Sequence, residues 1–395
     1  RIGGNCSRNQ PQKSFAIKAR DKYGSNIMNY KFFDNKSINQ FGALMLRNSG
    51  NDFNVTMFRD AFMQTLPVGQ MDVDYMEYQP AVLYLNGQYM GIQNLREKID
   101  ADFFESNYNV DKDNLDLIET WDQNVLEGSY EGYVNYKNTL AGMNRTTQAA
   151  YDFIDQHIDI QEYINYLVCE IYFANTDWPG NNMKFWRDAS VNGKFRWVLW
   201  DTDFGFYLVG DPAHPTLNFA TATDGPGWPN PPWSTEHIRF CLENPLFRAR
   251  FIQTMNTALN TTFQPDRVIS IVNQFQSGIA QEMPFHKTRW WGDMNSWNYE
   301  VQRLRDFTTT RTPFMRQHMA EFFGLGEMVN ISTSVAQGEG QFKLNGVTAD
   351  ANATQPYFKN LPVKIEPVPA LGYAFKEWKI RKRQSQAVPL ITSGT

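Results

Sequence analysis

Cysteine is scarce in this chain. Cys6, Cys169 and Cys241 are scattered through 395 residues with no C-x-x-C spacing, which excludes a disulfide scaffold and a thiolate zinc site. Histidine is equally sparse, at 157, 214, 237, 286 and 318. No H-E-x-x-H helix and no G-x-S-x-G elbow occurs, so metalloprotease and serine-hydrolase chemistry have no support. Neither sign of charge dominates: 37 Lys and Arg stand against 42 Asp and Glu, and without a broad basic field a nucleic-acid partner is not expected. No apolar run approaches the ~20 residues that span a bilayer, and no signal peptide is visible. The chain opens on Arg1 rather than Met, so the expectation is that an N-terminal segment has been removed and a targeting sequence with it.

What is present in quantity is aromatic. Phe, Trp and Tyr make up 15% of the residues, enough for a sizeable core in a chain long enough for two or three domains. KSFAIKA (13–19) alternates as a strand. Val55, Phe58, Ala61, Phe62 and Leu66 then recur at helical spacing up to Pro67, and AVLYLNGQYMGIQNLRE (81–97) predicts a hairpin about Asn86-Gly87. In DIQEYINYLVCEIYFAN, Asp159 with Glu162 reads as a capping box before an apolar face of Ile164, Leu167, Val168 and Ile171. A second hairpin with Asn192-Gly193 at its turn leads to WDTDFGF. The Pro- and Gly-rich stretch GDPAHPTLNFATATDGPGWPNPPW is too long for an ordinary connector. Helical patterns run from Ser234 to about Phe323, and short β-type runs take over after Gly324.

Two stretches carry chemistry. In Asn175-Thr176-Asp177-Trp178-Pro179-Gly180-Asn181-Asn182 a carboxylate precedes an Asn by five positions after a long helix. Protein kinases space a proton-accepting Asp and a metal-holding Asn in this way, because the reaction needs a base and a hard-oxygen ligand on one rigid turn. Alone the spacing is common, and a helix-ending Asx turn explains it as well. Along Trp197-Val198-Leu199-Trp200-Asp201-Thr202-Asp203 a period of two puts Asp201 and Asp203 on one face of a buried strand end, where like charges repel unless a cation lies between them. Mg²⁺ is the natural occupant, and Asp203-Phe204-Gly205 spells the metal-binding triplet of protein kinases. Arg1-Ile2-Gly3-Gly4-Asn5-Cys6-Ser7 reads as a glycine-containing cover over phosphates, with Arg1 and Ser7 as contacts and Lys13 or Lys18 as the strand-borne lysine. Asp60 or Glu97 is available to orient that lysine, and Glu97 also lies where a nucleotide base would sit.

These stretches, together with Pro11-Gln12-Lys13-Ser14-Phe15, Leu46-Arg47-Asn48-Ser49-Gly50, Arg59-Asp60 and Leu85-Asn86-Gly87-Gln88-Tyr89-Met90-Gly91, make residues 1–206 resemble the CotH kinase family, the spore coat protein H group of atypical secreted protein kinases. The resemblance implies a divergent kinase-like fold, ATP with a divalent metal, phosphorylation of Ser or Thr on other proteins, and an exported location, extracellular or on a cell surface or spore coat. It implies Asp177 as catalytic carboxylate, Asp201 as metal ligand and Lys13 on the phosphates. Where the family has two basic residues this chain has Gln12-Lys13, which keeps Lys18 in contention.

The expected architecture is α+β: a two-lobed kinase-like fold with a small β-rich lobe over 1–98, incomplete at its start, a mainly helical large lobe over 99–328, and a small all-β domain over 329–395. ATP with Mg²⁺ or Mn²⁺ would lie between the lobes, on Asp201, Asp203 and an Asn of the 181–182 pair, Asn182 before Asn181. The competing readings are a nucleotide-binding pseudokinase and a non-catalytic surface or carbohydrate-binding protein, the latter suggested by Trp228, Trp233, Trp290, Trp291 and Trp297 in or near loops.

Overall fold

A computed structural model describes residues 1–4, 6–119, 124–191, 193–380 and 391–392. Strands β1 (Phe15–Lys18), β2 (Met28–Asn29), β3 (Gln40–Phe41) and β4 (Ala43–Arg47) precede helix α1 (Arg59–Thr65), and the hairpin β5 (Tyr78–Leu85) and β6 (Gln88–Glu97) follows. β1, β4, β6 and β5 form one antiparallel sheet in that order. Asn86 and Gly87 turn the hairpin at φ 50° and 77°, the left-handed pair that an Asn-Gly turn requires. Cross-strand partners share a face. Ala16, Met45 and Arg96 therefore lie on the side that also carries Arg47 and Asn94, while Ile17, Leu44 and Glu97 lie on the other.

The helix expected from Val55 to Leu66 begins only at Arg59. Asp52 is the cause. Its buried carboxylate accepts from Thr56 N at 3.0 Å, Thr56 Oγ1 at 2.6 Å, Arg59 N at 3.0 Å and Arg59 Nε at 3.1 Å. A side chain that satisfies these donors displaces the helical pattern locally, and Asn54 and Met57 take φ of 62° and 73°.

Helix α2 (Ala101–Tyr108), strands β7 (Leu115–Glu119) and β8 (Asn124–Glu127), helices α3 (Glu131–Gly142), α4 (Gln148–His157) and α5 (Ile160–Phe173), and strands β9 (Lys184–Asp188) and β10 (Arg196–Val198) come next. A second antiparallel sheet has the order β10-β9-β7-β8. The β9–β10 pair is the second expected hairpin, although Asn192 of its turn lies outside the described residues. Helix α5 is the spine of the large core, with every residue from Glu162 to Phe173 buried. Its capping box is half formed. Asp159 accepts from Glu162 N at 3.3 Å, but the Glu162 carboxylate receives Trp197 N at 3.0 Å instead of reaching back.

Helices α6 (Thr216–Ala220), α7 (Pro232–Glu243), α8 (Pro245–Asn260), α9 (Pro265–Ala280), α10 (Met283–Arg289) and α11 (Met294–Phe323) complete the helical part. Proline opens α7, α8 and α9, where its missing N–H costs nothing. Strands β11 (Met328–Thr333), β12 (Gly340–Leu344), β13 (Val347–Ala349), β14 (Ala353–Phe358), β15 (Val363–Pro369) and β16 (Ile391–Thr392) follow. They dock on α8 through polar contacts, including Thr254 Oγ1 to Asn345 O at 3.0 Å and Asn256 Nδ2 to Pro356 O at 2.6 Å. Cys169 and Cys241 are buried free thiols. Among the described residues no helix is long and apolar enough to cross a membrane.

Candidate functional site

Helix α5 ends at Ala174 in the left-handed region, φ 56°, and this reversal points the next residues back under the helix. Asn175 Nδ2 donates to Glu170 Oε2 at 2.8 Å, and Asn175 Oδ1 accepts the backbone N–H of Asp177 at 3.0 Å. Asp177 is then gripped from the far side of the turn: Asn181 Nδ2 reaches Oδ1 and Asn182 Nδ2 reaches Oδ2, each at 2.8 Å. The five-residue spacing is thus realised as a direct contact. Burial pushes the Asp177 carboxyl up to about 6; the Asn181 amide opposes this, the Asp201 charge reinforces it, and Trp228 also donates to the carboxylate and opposes it.

Glu170 beneath the turn is fully buried, with Oε1 lacking any partner, and burial pushes its carboxyl up to about 8. The folded chain therefore keeps a proton that the unfolded chain releases near pH 4.5. Its contribution to stability is full below that pH and is lost as pH rises toward about 8. Glu170→Gln, which keeps the acceptor for Asn175 and cannot ionise, should flatten the fall in melting temperature between about pH 5 and about pH 9. An equally steep fall in the variant would remove Glu170 as its source.

Strand β10 stops at Val198, so Asp201 and Asp203 are not strand residues as their spacing suggested. Asp201 has φ 54°, a conformation that no extended strand accommodates. The two carboxylates nevertheless meet, and the cation between them is Arg47 at the end of β4. Its guanidinium contacts Asp201 Oδ1, reaches Asp203 Oδ2 at 3.2 Å, and lies 3.5 Å from Asp60 Oδ2 on α1. The three acids hold Arg47 firmly in its charged form against the cost of burial. Asp203 is fully buried and accepts from Asn51 N at 3.0 Å and Asn51 Nδ2 at 3.1 Å. Burial and the Asp201 charge push its carboxyl up to about 8, which Arg47 opposes. Asp60 is also paired with Arg96 at 2.7 Å and accepts from Thr202 N at 2.9 Å. Although its burial works the other way, Arg96 and Arg47 hold its carboxyl well below the usual range.

One bond joins the two turns: Asn182 Nδ2 donates to the carbonyl of Asp201 at 3.2 Å. Gly50 permits the approach from the sheet side. It sits at φ 64°, and a Cβ there would lie 2.5 Å from Asp203 Oδ2 and 2.6 Å from Arg47 Nη2. Gly50→Ala should cost about 1–2 kcal/mol in backbone conformation alone and displace Arg47. Unchanged melting in the Ala variant would contradict this close packing.

The other expected residues lie elsewhere. Lys13 donates to the carbonyls of Arg8 and Gln10, both at 2.7 Å, so its ammonium is spent on the preceding loop. Lys18 is exposed at the outer end of β1. Arg1 donates from its amino group to Ala16 O at 3.1 Å, and its carbonyl accepts from Ala16 N at 2.8 Å, so Arg1–Gly3 run along β1 as a sheet edge. Ser7 belongs to a short 3-10 turn and its carbonyl accepts from Gln10 N at 3.2 Å. Glu97 pairs with Lys36 at 2.6 Å, on the face of the sheet opposite Arg47, and orients neither Lys13 nor Lys18. The strand-borne cation between Asp201 and Asp203 is Arg47, whose sequence signal was its place at the end of ALMLR before Arg59-Asp60.

The ligands the cluster offers are carboxylate oxygens, the kind a hard divalent cation takes, although Arg47, Arg96 and Asn51 already engage several of them. Among the described residues no group of three or more His, Cys, Asp or Glu is arranged to hold a metal. Mg²⁺ does not need one, since it takes one or two carboxylates together with substrate phosphates and water. Asp201, 28% exposed and engaged by Arg47 through Oδ1, suits such a site better than Asp203, both of whose oxygens are engaged by Arg47 and Asn51.

The family described as CotH kinase protein matches residues 1–315. The chain belongs to this family, and membership implies kinase-type transfer with ATP and a divalent metal in general terms. No curated protein matches the chain.

Proposed function

We propose that this protein transfers the γ-phosphate of ATP, with Mg²⁺ or Mn²⁺, to Ser or Thr hydroxyls of other proteins, within a divergent two-lobed kinase-like fold. The observation that carries the reading is the junction of the two turns, where Asn182 binds both the Asp177 carboxylate and the Asp201 backbone. A cation on the strand that leads into a helix, close to a carboxylate on that helix, is a second kinase feature, and Arg47 with Asp60 supplies it.

In this reading Asp177 aligns the acceptor hydroxyl and takes its proton as the oxygen–phosphorus bond forms and the bond from Pγ to the ADP oxygen breaks. Its carboxyl, raised only to about 6, is largely ionised at neutral pH and free to do so. Asn181 and Asn182 hold the carboxylate in place. Asp201 and Asn182 would hold the metal, which when bound neutralises charge on the phosphates. Arg47 is the protein's own cation toward the nucleotide. Catalysis of this kind is mainly positioning and charge neutralisation.

The test is transfer of radiolabelled phosphate from ATP to a Ser-rich acceptor set by the purified chain, with melting measured in parallel with and without ATP and Mg²⁺. The reading expects labelled acceptor and a rise in melting temperature that needs both ligands. Labelling that survives Asp177→Ala and Asp201→Ala in folded protein would end it.

A further inference from the structure

The segment between Gly210 and Trp233 has no part in the mechanism above, yet it folds back onto the Asp177 turn. The carbonyl of Pro229 accepts Gly180 N–H at 2.6 Å, and a Cβ on Gly180 would lie 2.4 Å from that oxygen. Trp228 donates to the Asp177 carboxylate while remaining 46% exposed. Asn230 Nδ2 anchors the loop to Phe219 O at 2.9 Å, and Ser234 Oγ anchors its end to Pro231 O at 2.8 Å.

Where this segment runs into α7 there is a cavity of about 40 Å³, lined among others by Trp178, Met183, Tyr130, Trp233 and His237. Trp178 directly follows Asp177 and Met183 directly follows Asn182, so two of its walls are the residues that bracket the Asp177 turn. Its polar atoms are matched to one another. Trp178 Nε1 donates to Tyr166 Oη at 2.8 Å, the two His237 nitrogens meet Tyr136 Oη at 2.9 Å and Tyr163 Oη at 3.0 Å, and Lys137 at the mouth pairs with Glu236 at 2.7 Å. Burial keeps His237 neutral, its pKa lowered to about 3. What remains is an aromatic-walled space whose one lining charge, Lys137, is paired with Glu236, and predominantly apolar, aromatic walls are the common character of a side-chain pocket. At about 10–15 Å³ for each water-sized group, it takes about three or four carbons, the size of a Val, Leu or Pro side chain.

We propose that this cavity is the specificity pocket of the acceptor protein, seating an aliphatic side chain a few residues from the Ser or Thr that is phosphorylated, with Trp233 as its lip. The proposal rests on the kinase reading. It adds the substrate class: acceptors with a Val, Leu, Ile or Pro at one fixed distance from the hydroxyl. Trp233 is 45% exposed, so trimming it disturbs little core packing.

The experiment uses the full chain, Mg-ATP and a library of Ser-containing peptides in which each flanking position is varied in turn, with a Gly-flanked peptide as reference. The expected result is an aliphatic preference at one position, about tenfold in kcat/KM, as a single apolar side chain in a pocket supplies. Trp233→Ala should shrink that ratio toward one, through the KM for the aliphatic peptide. Transfer with no aliphatic preference, or with a preference that Trp233→Ala leaves intact, overturns the pocket and leaves the kinase reading standing. No transfer from ATP to any peptide or to water overturns both.

Discussion

Asp177→Ala should lower the rate of phosphoryl transfer by about 10²–10⁴-fold, the range that a positioned general base contributes, while the protein melts close to the wild-type temperature. The asymmetry follows from what Asp177 touches. Its carboxylate accepts from two side-chain amides of its own turn, Asn181 and Asn182, while the turn is held independently by Asn175 on Glu170 and by Gly180 on Pro229. Truncation relieves a buried acid of its desolvation and leaves two amides to rebond, so the loss in stability is small. The loss in function is large because no other carboxylate stands on that turn. Asp177→Asn is the finer test, since it keeps size and hydrogen bonding and removes only the capacity to accept a proton. Full activity in Asp177→Asn would mean that the residue positions and does not take the proton.

Arg47→Ala should have the opposite profile, with a large cost to both folding and transfer. The guanidinium is 11% exposed and lies among Asp60, Asp201 and Asp203. Removing one member of a buried charge cluster leaves the others uncompensated, at about 3–5 kcal/mol, which outweighs the surface ion pairs elsewhere in the chain. Asp203 can relieve part of this by keeping a proton, since burial already raises its pKa to about 8; the destabilisation should therefore be milder at acid pH than at alkaline pH. Arg47→Lys restores a charge but not the planar fork that reaches several carboxylates at once, so it should recover stability more fully than transfer. Denaturant melts of the two variants at two pH values, set beside their transfer rates, check all of this. Wild-type stability in Arg47→Ala would show that the acidic cluster does not depend on it.

Residue order alone carried the local features of the site. The Asn86-Gly87 hairpin, the Asp159 cap on α5, the β9–β10 pairing and the Asp177–Asn182 turn all rest on contacts within a few residues, where spacing and residue type dictate geometry. Family likeness was readable for the same reason, since short motifs in a set order are a property of the chain itself. The local reading failed where a distant or buried partner intervened. Asp52 took the donors that would have started α1 early, the left-handed Asp201 ended the strand that alternation predicted, and Glu97 went to Lys36 on the wrong face of the sheet for its expected role.

Which cation meets the acids was a tertiary decision. Lys13, Lys18 and Arg47 all lie on or beside strands, and charge alone does not separate them. Alternation turned Arg47 to the face of β4 that α1 and the Asp201–Asp203 segment cover, left Lys18 at the exposed end of its strand, and let loop carbonyls claim Lys13. The chain by itself determined which residues are able to do the chemistry, because that depends on functional groups and short spacings; only the packing of the first sheet against α1 and against the segment after β10 decided which of them stand together, because Coulombic and hydrogen-bond energies act through space and are indifferent to separation along the chain.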